Sequence, residues 1–277
     1  MRHEALTDSI QMILLDGDVL VYEQAFGAEY KDDQGEHQVR SWEYLEENID
    51  RFLEYLKLRL GCTDTKIYLT GTGNFRFDVA KSQEYKAARS DKPFHYKAIR
   101  DWLIHFKGAT VVDGMEADDA LSIEQVKALS EGRTTCIASR DKDLMMVPGW
   151  HYCWEVHNQP EKLCKATTIG TLSLGTASKK KLSGDGLRWF YAQCIMGDRT
   201  DTIPGLPKCG DVLAFKTLQE CSTEQEMFTA VRDLYHLKGF DDEYLLEQGR
   251  LLWMVQELND DGTPVMWEFP KVPCNTI

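Results

Sequence analysis

Residues 12–18 read MILLDGD: four apolar residues, then an aspartate, a glycine and a second aspartate. A short apolar run cut off this sharply predicts a strand buried on both faces, with Asp16 and Asp18 at its carboxyl end. The pattern recurs at 66–70 (KIYLT), 110–112 (TVV) and 135–139 (TCIAS). Longer segments with helical spacing separate these runs. Trp42, Leu45, Ile49, Phe52, Leu56 and Leu60 recur at intervals of three and four, with Ser41 placed as an N-cap. Ala120, Ile123, Val126 and Leu129 do the same, closed by Gly132. Strands alternating with helices predict an α/β fold, a parallel sheet flanked by helices, over about residues 10–160.

Residues 76–108 interrupt that alternation as a basic stretch rich in Tyr, Phe and His. Beyond about 185 the strand signals stop, and periodic apolar residues predict helices in 185–197, 211–236 and 242–258. The tail from 259, with Asp-Gly and Trp267, predicts a turn and an extended segment that packs back. With 277 residues, 43% of them hydrophobic, the chain can build one or two domains with full cores. Its eight cysteines are scattered without a CxxC pair, which argues against a zinc site or a disulfide scaffold. No apolar run reaches the ~18–20 residues of a bilayer span, and the opening residues lack a signal peptide's apolar stretch. The expectation is a cytoplasmic protein without a membrane partner.

A net charge of −13 argues at first against a polyanionic partner. The distribution argues otherwise. Residues 76–108 carry 8 basic and 4 acidic residues, and 162–188 carry 6 and 1. Such islands suit phosphate contacts.

The acids cluster where the strands end. Asp16 and Asp18 follow the first run, Asp113, Glu116, Asp118 and Asp119 the third, and Asp141 and Asp143 the fourth. In open parallel sheets ligand sites form along that edge. Unit charges ~4 Å apart repel by about 4 kcal/mol at an effective dielectric of ~20, so acids gathered there require cations or raised pKa values. All-oxygen donors suit Mg²⁺ or Mn²⁺. A further pair, Asp198 and Asp201, opens GDRTDTIPGLPKCG (197–210), where Gly205, Pro207 and Gly210 allow tight turns beside Lys208. Backbone N–H groups and a lysine in such a connector could hold a phosphate backbone.

In this order LLDGD, EYKAAR, EADD, SRDKDL and GDRTDTIPGLPKCG resemble the motifs of the 5′ nuclease (flap endonuclease) superfamily. The short length and KIYLTGTGNFR look most like the 5′–3′ exonucleases of T-seven-like bacteriophages. The resemblance implies a PIN-like nuclease core over residues 1–184, with a helical arch inserted at about 76–108. It also implies a helical region at 185–277 containing a helix-3-turn-helix. By the same resemblance Asp16, Glu116, Asp118, Asp119 and Asp141 would form a tighter metal cluster, and Asp143, Asp198 and Asp201 a second group. Together they would hold two divalent cations, Mg²⁺ or Mn²⁺. Of the catalytic candidates, Lys86 would lie over the scissile phosphate and offset its developing charge, while Arg89, with Arg76, would steer phosphates. Tyr85 would stack on a terminal base or simply pack under the arch. Arg76, Lys86, Arg89, Gly205, Lys208 and Gly210 would contact DNA, with a monovalent cation at the helix-3-turn-helix.

The implied partner of a monomeric enzyme is double-stranded DNA with a 5′ end or flap, and RNA–DNA hybrid by extension. If the chain comes from a phage, it would act in the host cytoplasm. Asp18 is not carried over, because the family tolerates varied residues there. Thr70 departs from the family, many members of which place an aspartate after the second strand. Two other readings stay open: a structure-specific DNA-binding protein with weakened catalysis, and an aspartyl-phosphate phosphatase using the DxD of LLDGD.

Overall fold

The computed structural model describes residues 9–87, 91–157, 159–176 and 180–271. The chain divides into two compact units: residues up to 73, 90–141 and 149–164 form the first; 74–89, 142–148 and those from 165 onward form the second.

In chain order the first elements are β1 (Met12–Asp16), α1 (Gly17–Gly27), β2 (Glu29–Lys31), β3 (His37–Val39), α2 (Trp42–Leu60) and β4 (Thr65–Thr70). There follow α3 (Arg76–Val79), α4 (Tyr96–Lys107), β5 (Thr110–Val112), α5 (Ala117–Ser130) and β6 (Thr135–Ala138). A 3₁₀ turn (Asp143–Met146) leads to β7 (Gly149–Cys153), β8 (Lys162–Ala166), β9 (Leu172–Leu174) and β10 (Leu182–Gly184). The last helices are α6 (Gly186–Met196), α7 (Asp211–Leu218), α8 (Glu224–Leu237) and α9 (Asp242–Leu252). Among the described residues no helix is long and apolar enough to cross a membrane.

The first unit is built on a sheet ordered β5-β4-β1-β6-β7-β8, in which β5, β4, β1, β6 and β7 run parallel. Strand alternation decides its two faces. Ile13, Leu15, Ile67, Leu69, Cys136 and Ala138 share one buried cluster with residues of α1, α2 and α4. Leu14, Tyr68 and Ile137, the intervening residues, are buried outside that cluster, and α5 packs across β1, β4 and β6. Each fully buried aliphatic side chain contributes about 1.5–3 kcal/mol. Helix α2 presents Leu45, Ile49, Leu53, Leu56 and Leu60 to the core, starts where Ser41 Oγ accepts from Tyr44 N, and stops at Gly61 with φ 64°. From the basic stretch 76–108, α4 buries Ile99, Trp102 and Leu103 in the same cluster. Residues 74–89 go with the second unit.

The strands read from the apolar runs are all present, and others join them: β7 in the parallel sheet, and the short strands β2, β3, β8, β9 and β10. In the second unit α6 is the centre, burying Trp189, Phe190, Tyr191, Cys194 and Ile195 against α7, α8 and α9. The single helix expected at 211–236 is two, because Thr223 starts a new one with a capping box to Glu226. The helix expected at 242–258 ends at Leu252. The tail does pack back: Trp267 is buried, and a Cβ on Gly249 would lie 2.3 Å from its ring.

One polar cluster ties the edge of the first unit to α2. Glu161 accepts from Arg59 Nη2 at 2.7 Å, Tyr152 Oη at 2.7 Å and Tyr55 Oη at 2.9 Å. The Arg59 guanidinium foremost, with the Tyr152 hydroxyl, pulls the Glu161 carboxyl down to about 2. A carboxyl depressed from 4.5 stabilises the fold fully above pH 4.5, and that contribution is lost as pH falls toward 2. The melting temperature of Glu161→Gln should therefore lie below wild type at pH 7, with the gap narrowing by pH 3. A gap unchanged across that range in thermal melts would count against this assignment.

Candidate active site

In the first unit the fold itself puts acids at the strand ends. Helix α1 begins immediately after β1, so Asp16 is both the last strand residue and the helix N-cap, its Oδ1 accepting from Val19 N at 3.0 Å. The junction is tight: a Cβ on Gly17 would lie 2.5 Å from the Tyr68 carbonyl oxygen, so only glycine fits. Asp16 Oδ2 accepts from Ser139 Oγ at 2.6 Å, and that hydroxyl accepts from Asp141 N at 2.9 Å. Asp16 is 1% exposed. Burial pushes its carboxyl up to about 7 against the pull of the two hydrogen bonds, and the charges of Asp18 and Asp141 add to the rise.

Asp18 is held by a second knot. It accepts from Thr70 N at 3.0 Å and pairs with Arg100 Nη1 at 2.9 Å, while Arg100 Nη2 donates to the Thr70 carbonyl at 2.7 Å. Burial raises the Asp18 carboxyl despite these partners. Thr70, the departure from the family pattern, supports the local structure in its own way. Its Oγ1 accepts from Ala117 N at 2.9 Å, satisfying an N–H in the first turn of α5. Glu116 and Asp119 form that helix's capping box and are buried; Asp118 and Asp141 are half-buried. Sequence reasoning missed Arg100 and Ser139. The SRD sequence, a hydroxyl two residues before an acid, was the available signal for Ser139.

Among the described residues no three His, Cys, Asp or Glu side chains stand arranged to hold one metal ion. The chemistry of the first group nevertheless fits a hard divalent cation. Its donors are all carboxylate oxygens, several are buried, and Asp16 is driven toward protonation by burial and its acidic neighbours, a condition that a nearby cation would relieve.

The remaining predicted residues lie in the second unit. Asp198 closes a tight loop: its N donates to Ile203 O at 2.8 Å, Ile203 N returns to Asp198 O at 2.7 Å, and Thr200 N donates to its Oδ1 at 2.7 Å. Lys142 Nζ bridges Asp143, at 2.8 Å, and Asp198. Lys86 Nζ lies 3.4 Å from Asp201 Oδ1, and Lys86 N donates to the Asp201 carbonyl at 2.9 Å. Tyr85 is 3% exposed, with its hydroxyl 3.2 Å from Asp201 Oδ2 and its ring edge-on to Phe77. Lys208 is exposed at φ 60°, and Gly210 is the N-cap of α7. Arg89 lies outside the described residues.

Two expectations are corrected. Arg76, expected at DNA phosphates, is 1% exposed and spends its guanidinium on the end of α9, with Nε 3.0 Å from Leu251 O and Nη2 2.6 Å from Trp253 O. A cation at a helix C-terminus answers carbonyls that lack intrahelical partners. Gly205, expected to offer its N–H to phosphate, is buried and donates it to Gln248 Oε1 at 3.0 Å. Gly205 is required for another reason: at φ 59° its Cβ would lie 2.3 Å from Gly197 N.

No protein-family profile matches the chain. It is 23% identical over 178 residues to DNA polymerase I of Bacillus caldotenax, an alignment covering 59% of this chain and 18% of that protein. The chain thus spans about a fifth of the length of the curated relatives it matches. Among solved structures, a mutant T5 5′-exonuclease superposes with a TM-score of 0.55 at 13% identity, covering 88% of this chain and 87% of that one. The bacteriophage T5 flap endonuclease in a pseudo-enzyme-product complex with DNA and metal ions gives 0.52 at 13%, covering 87% and 88%. The catalytic core of Rad2 in complex with DNA substrate gives 0.50 at 15%, covering 94% and 84%. The fold is that of the 5′ nucleases. The family resemblance carried by the motifs therefore extends to the fold of most of the chain.

Within this 5′ nuclease fold Arg76 is a structural residue. Replacing Arg76 with Met should lower the unfolding free energy by about 2–3 kcal/mol, the range for charged hydrogen bonds left unmade. Urea denaturation measures this, and a change below the scatter of surface substitutions would contradict the capping role.

Proposed function

We propose that the chain is a metal-dependent 5′–3′ exonuclease that hydrolyses phosphodiester bonds from the 5′ ends of duplex DNA. The observation that carries this reading is the Asp16 carboxyl, buried at the carboxyl end of β1 beside the charges of Asp18 and Asp141, on a 5′ nuclease fold. Asp16, Glu116, Asp118, Asp119 and Asp141 would hold divalent cations, Mg²⁺ or Mn²⁺. When bound, these supply positive charge for the leaving oxygen and a water acidic enough to attack at neutral pH.

The chain's own residues account for the rest. Ser139 and the Val19 N–H fix the two Asp16 oxygens, so the acid is positioned before any ligand arrives. Those same bonds make Asp16 a poor covalent nucleophile, which disfavours the phosphatase reading. Lys86 would offset charge developing on the scissile phosphate. Lys208, exposed on the 197–210 turn, would anchor duplex phosphates, with that turn serving as a helix-3-turn-helix between α6 and α7. A flap would be cut by the same chemistry, and RNA paired to DNA is the natural extension, because a site acting on phosphate need not read the 2′-hydroxyl.

On a 5′-recessed duplex, hydrolysis should vanish with chelator and return with Mg²⁺ or Mn²⁺. Release should begin at the 5′ end. Activity surviving chelation, or a substrate labelled at its 3′ end and degraded first from there, would refute the reading. Asp16→Asn should still bind DNA while losing activity altogether or nearly so. Lys86→Ala should cut single-turnover rate by about 100–1000-fold, the range for losing one preorganised electrostatic contact, with little change in affinity. Lys208→Ala should do the reverse, weakening binding and reducing its salt dependence by about one phosphate's worth. Equal effects of both lysines on affinity alone would overturn their division of labour.

A further inference from the structure

The second acidic group does not fit a metal as the first does, because the chain supplies its own cations there. Asp143 is bonded by Lys142 Nζ at 2.8 Å and by Gln193 Nε2. Asp198 is bonded by Lys142 Nζ, by Thr200 N at 2.7 Å and, more weakly, by Asp201 N at 3.4 Å. Asp201 is paired with Lys86 Nζ at 3.4 Å and bonded by the Tyr85 hydroxyl at 3.2 Å. Among the described residues, three carboxylates thus face two ammonium groups, leaving little net charge to draw Mg²⁺ out of its tightly held water.

Lys142 is placed for this. Its backbone carbonyl accepts from the buried indole of Trp189 at 3.0 Å, which anchors the residue on α6. From there its side chain bridges two acids 55 residues apart in the chain. Asp143 and Asp198 are both buried, and each would be costly to leave unpaired. Burial alone would lower the Lys142 ammonium's pKa, but the two acids outweigh it and hold it above the ordinary lysine value. Asp198, which burial would raise, is held below its ordinary value by Lys142 and the loop N–H groups. A tethered ammonium has no translational freedom to lose on binding, whereas a free ion does.

We propose that Lys142 is the resident cation of the second acidic group, bridging Asp143 and Asp198 where the family resemblance implies a second divalent ion. Lys142 is on this reading a positioning residue: it fixes the two carboxylates and keeps a divalent ion from settling between them. The inference starts from the metal-dependent reading above, but its test counts ions and needs no activity.

The test titrates the full chain with Mn²⁺ in the absence of DNA and reads bound ion by electron paramagnetic resonance. Lys142→Met should bind one more Mn²⁺ per chain than wild type, and Lys142→Arg should keep the wild-type number. Adding Asp198→Asn to Lys142→Met should return the count to that of wild type. Equal counts for wild type and Lys142→Met would overturn the proposal. Should Lys142→Met fail to fold in thermal melts, Asp198→Asn alone decides: an unchanged count supports the lysine, and loss of one ion overturns it. Hydrolysis that persists in chelator would sink the metal-dependent reading while leaving the ion count to judge Lys142 separately.

Discussion

Everything in the first unit turns on a carboxylate that has no room to move. Asp16 must end β1, begin α1 and remain buried, and each requirement fixes a neighbour. The strand end demands Gly17, since the Tyr68 carbonyl leaves no space for a side chain. The helix start takes one oxygen and Ser139 takes the other, so the acid's geometry is set by backbone and by the neighbouring strand's end. Desolvation is the counterforce, raising the proton affinity of a group that the packing will not release. Thr70 shows the same economy at β4, where one residue holds Asp18, Arg100 and the start of α5 together.

What could be read from the sequence follows from burial. Strands covered on both faces must be apolar where they are covered, so MILL, the IYL of KIYLT and TCIAS stand out, while the edge strand TVV, with Thr110 and Val111 exposed, is read from its β-branched residues alone. Strand β7 reads GWHYC, because its His151 sits buried beside Gln125 at 3.4 Å, and a polar pair hidden inside leaves no apolar run to see. The hairpins β2–β3 and β9–β10 are short and largely uncovered, and carry no such signature either. The acids at strand ends were legible because the sheet's parallel order sends every carboxyl end to one edge. Arg76 was not. An arginine in a basic stretch resembles a phosphate contact until a carbonyl 175 residues later claims it. Lys142 is similar, its meaning decided by Asp198, 56 residues on.

The two acidic groups illustrate two solutions to one electrostatic problem. In the first, burial above all, with a smaller addition from the neighbouring Asp18 and Asp141 charges, leaves Asp16 with a raised pKa, a tension that invites a cation from outside. In the second, lysines from the chain quench the charge on the spot, and Asp198 ends below its ordinary pKa. Composition alone cannot distinguish them, since both read as aspartates a few residues apart. The difference lies in whether a basic side chain is folded into reach.

Arg76 also bears on the order in which the molecule can be made. The end of α9 is completed by a residue from the first third of the chain, and the second unit as a whole gathers 74–89, 142–148 and everything from 165. A ribosome emitting the chain from its amino end delivers the residues of the first unit by position 164, while the second still waits for its last helices. Its early segments must therefore wait for residues from 186 onward, and the Arg76 guanidinium for α9, before these contacts can form. Closing such long loops is slow, because their entropy is lost before the contacts reward it. The second unit should accordingly be the late-forming part of the protein, and the part most dependent on protection during biosynthesis.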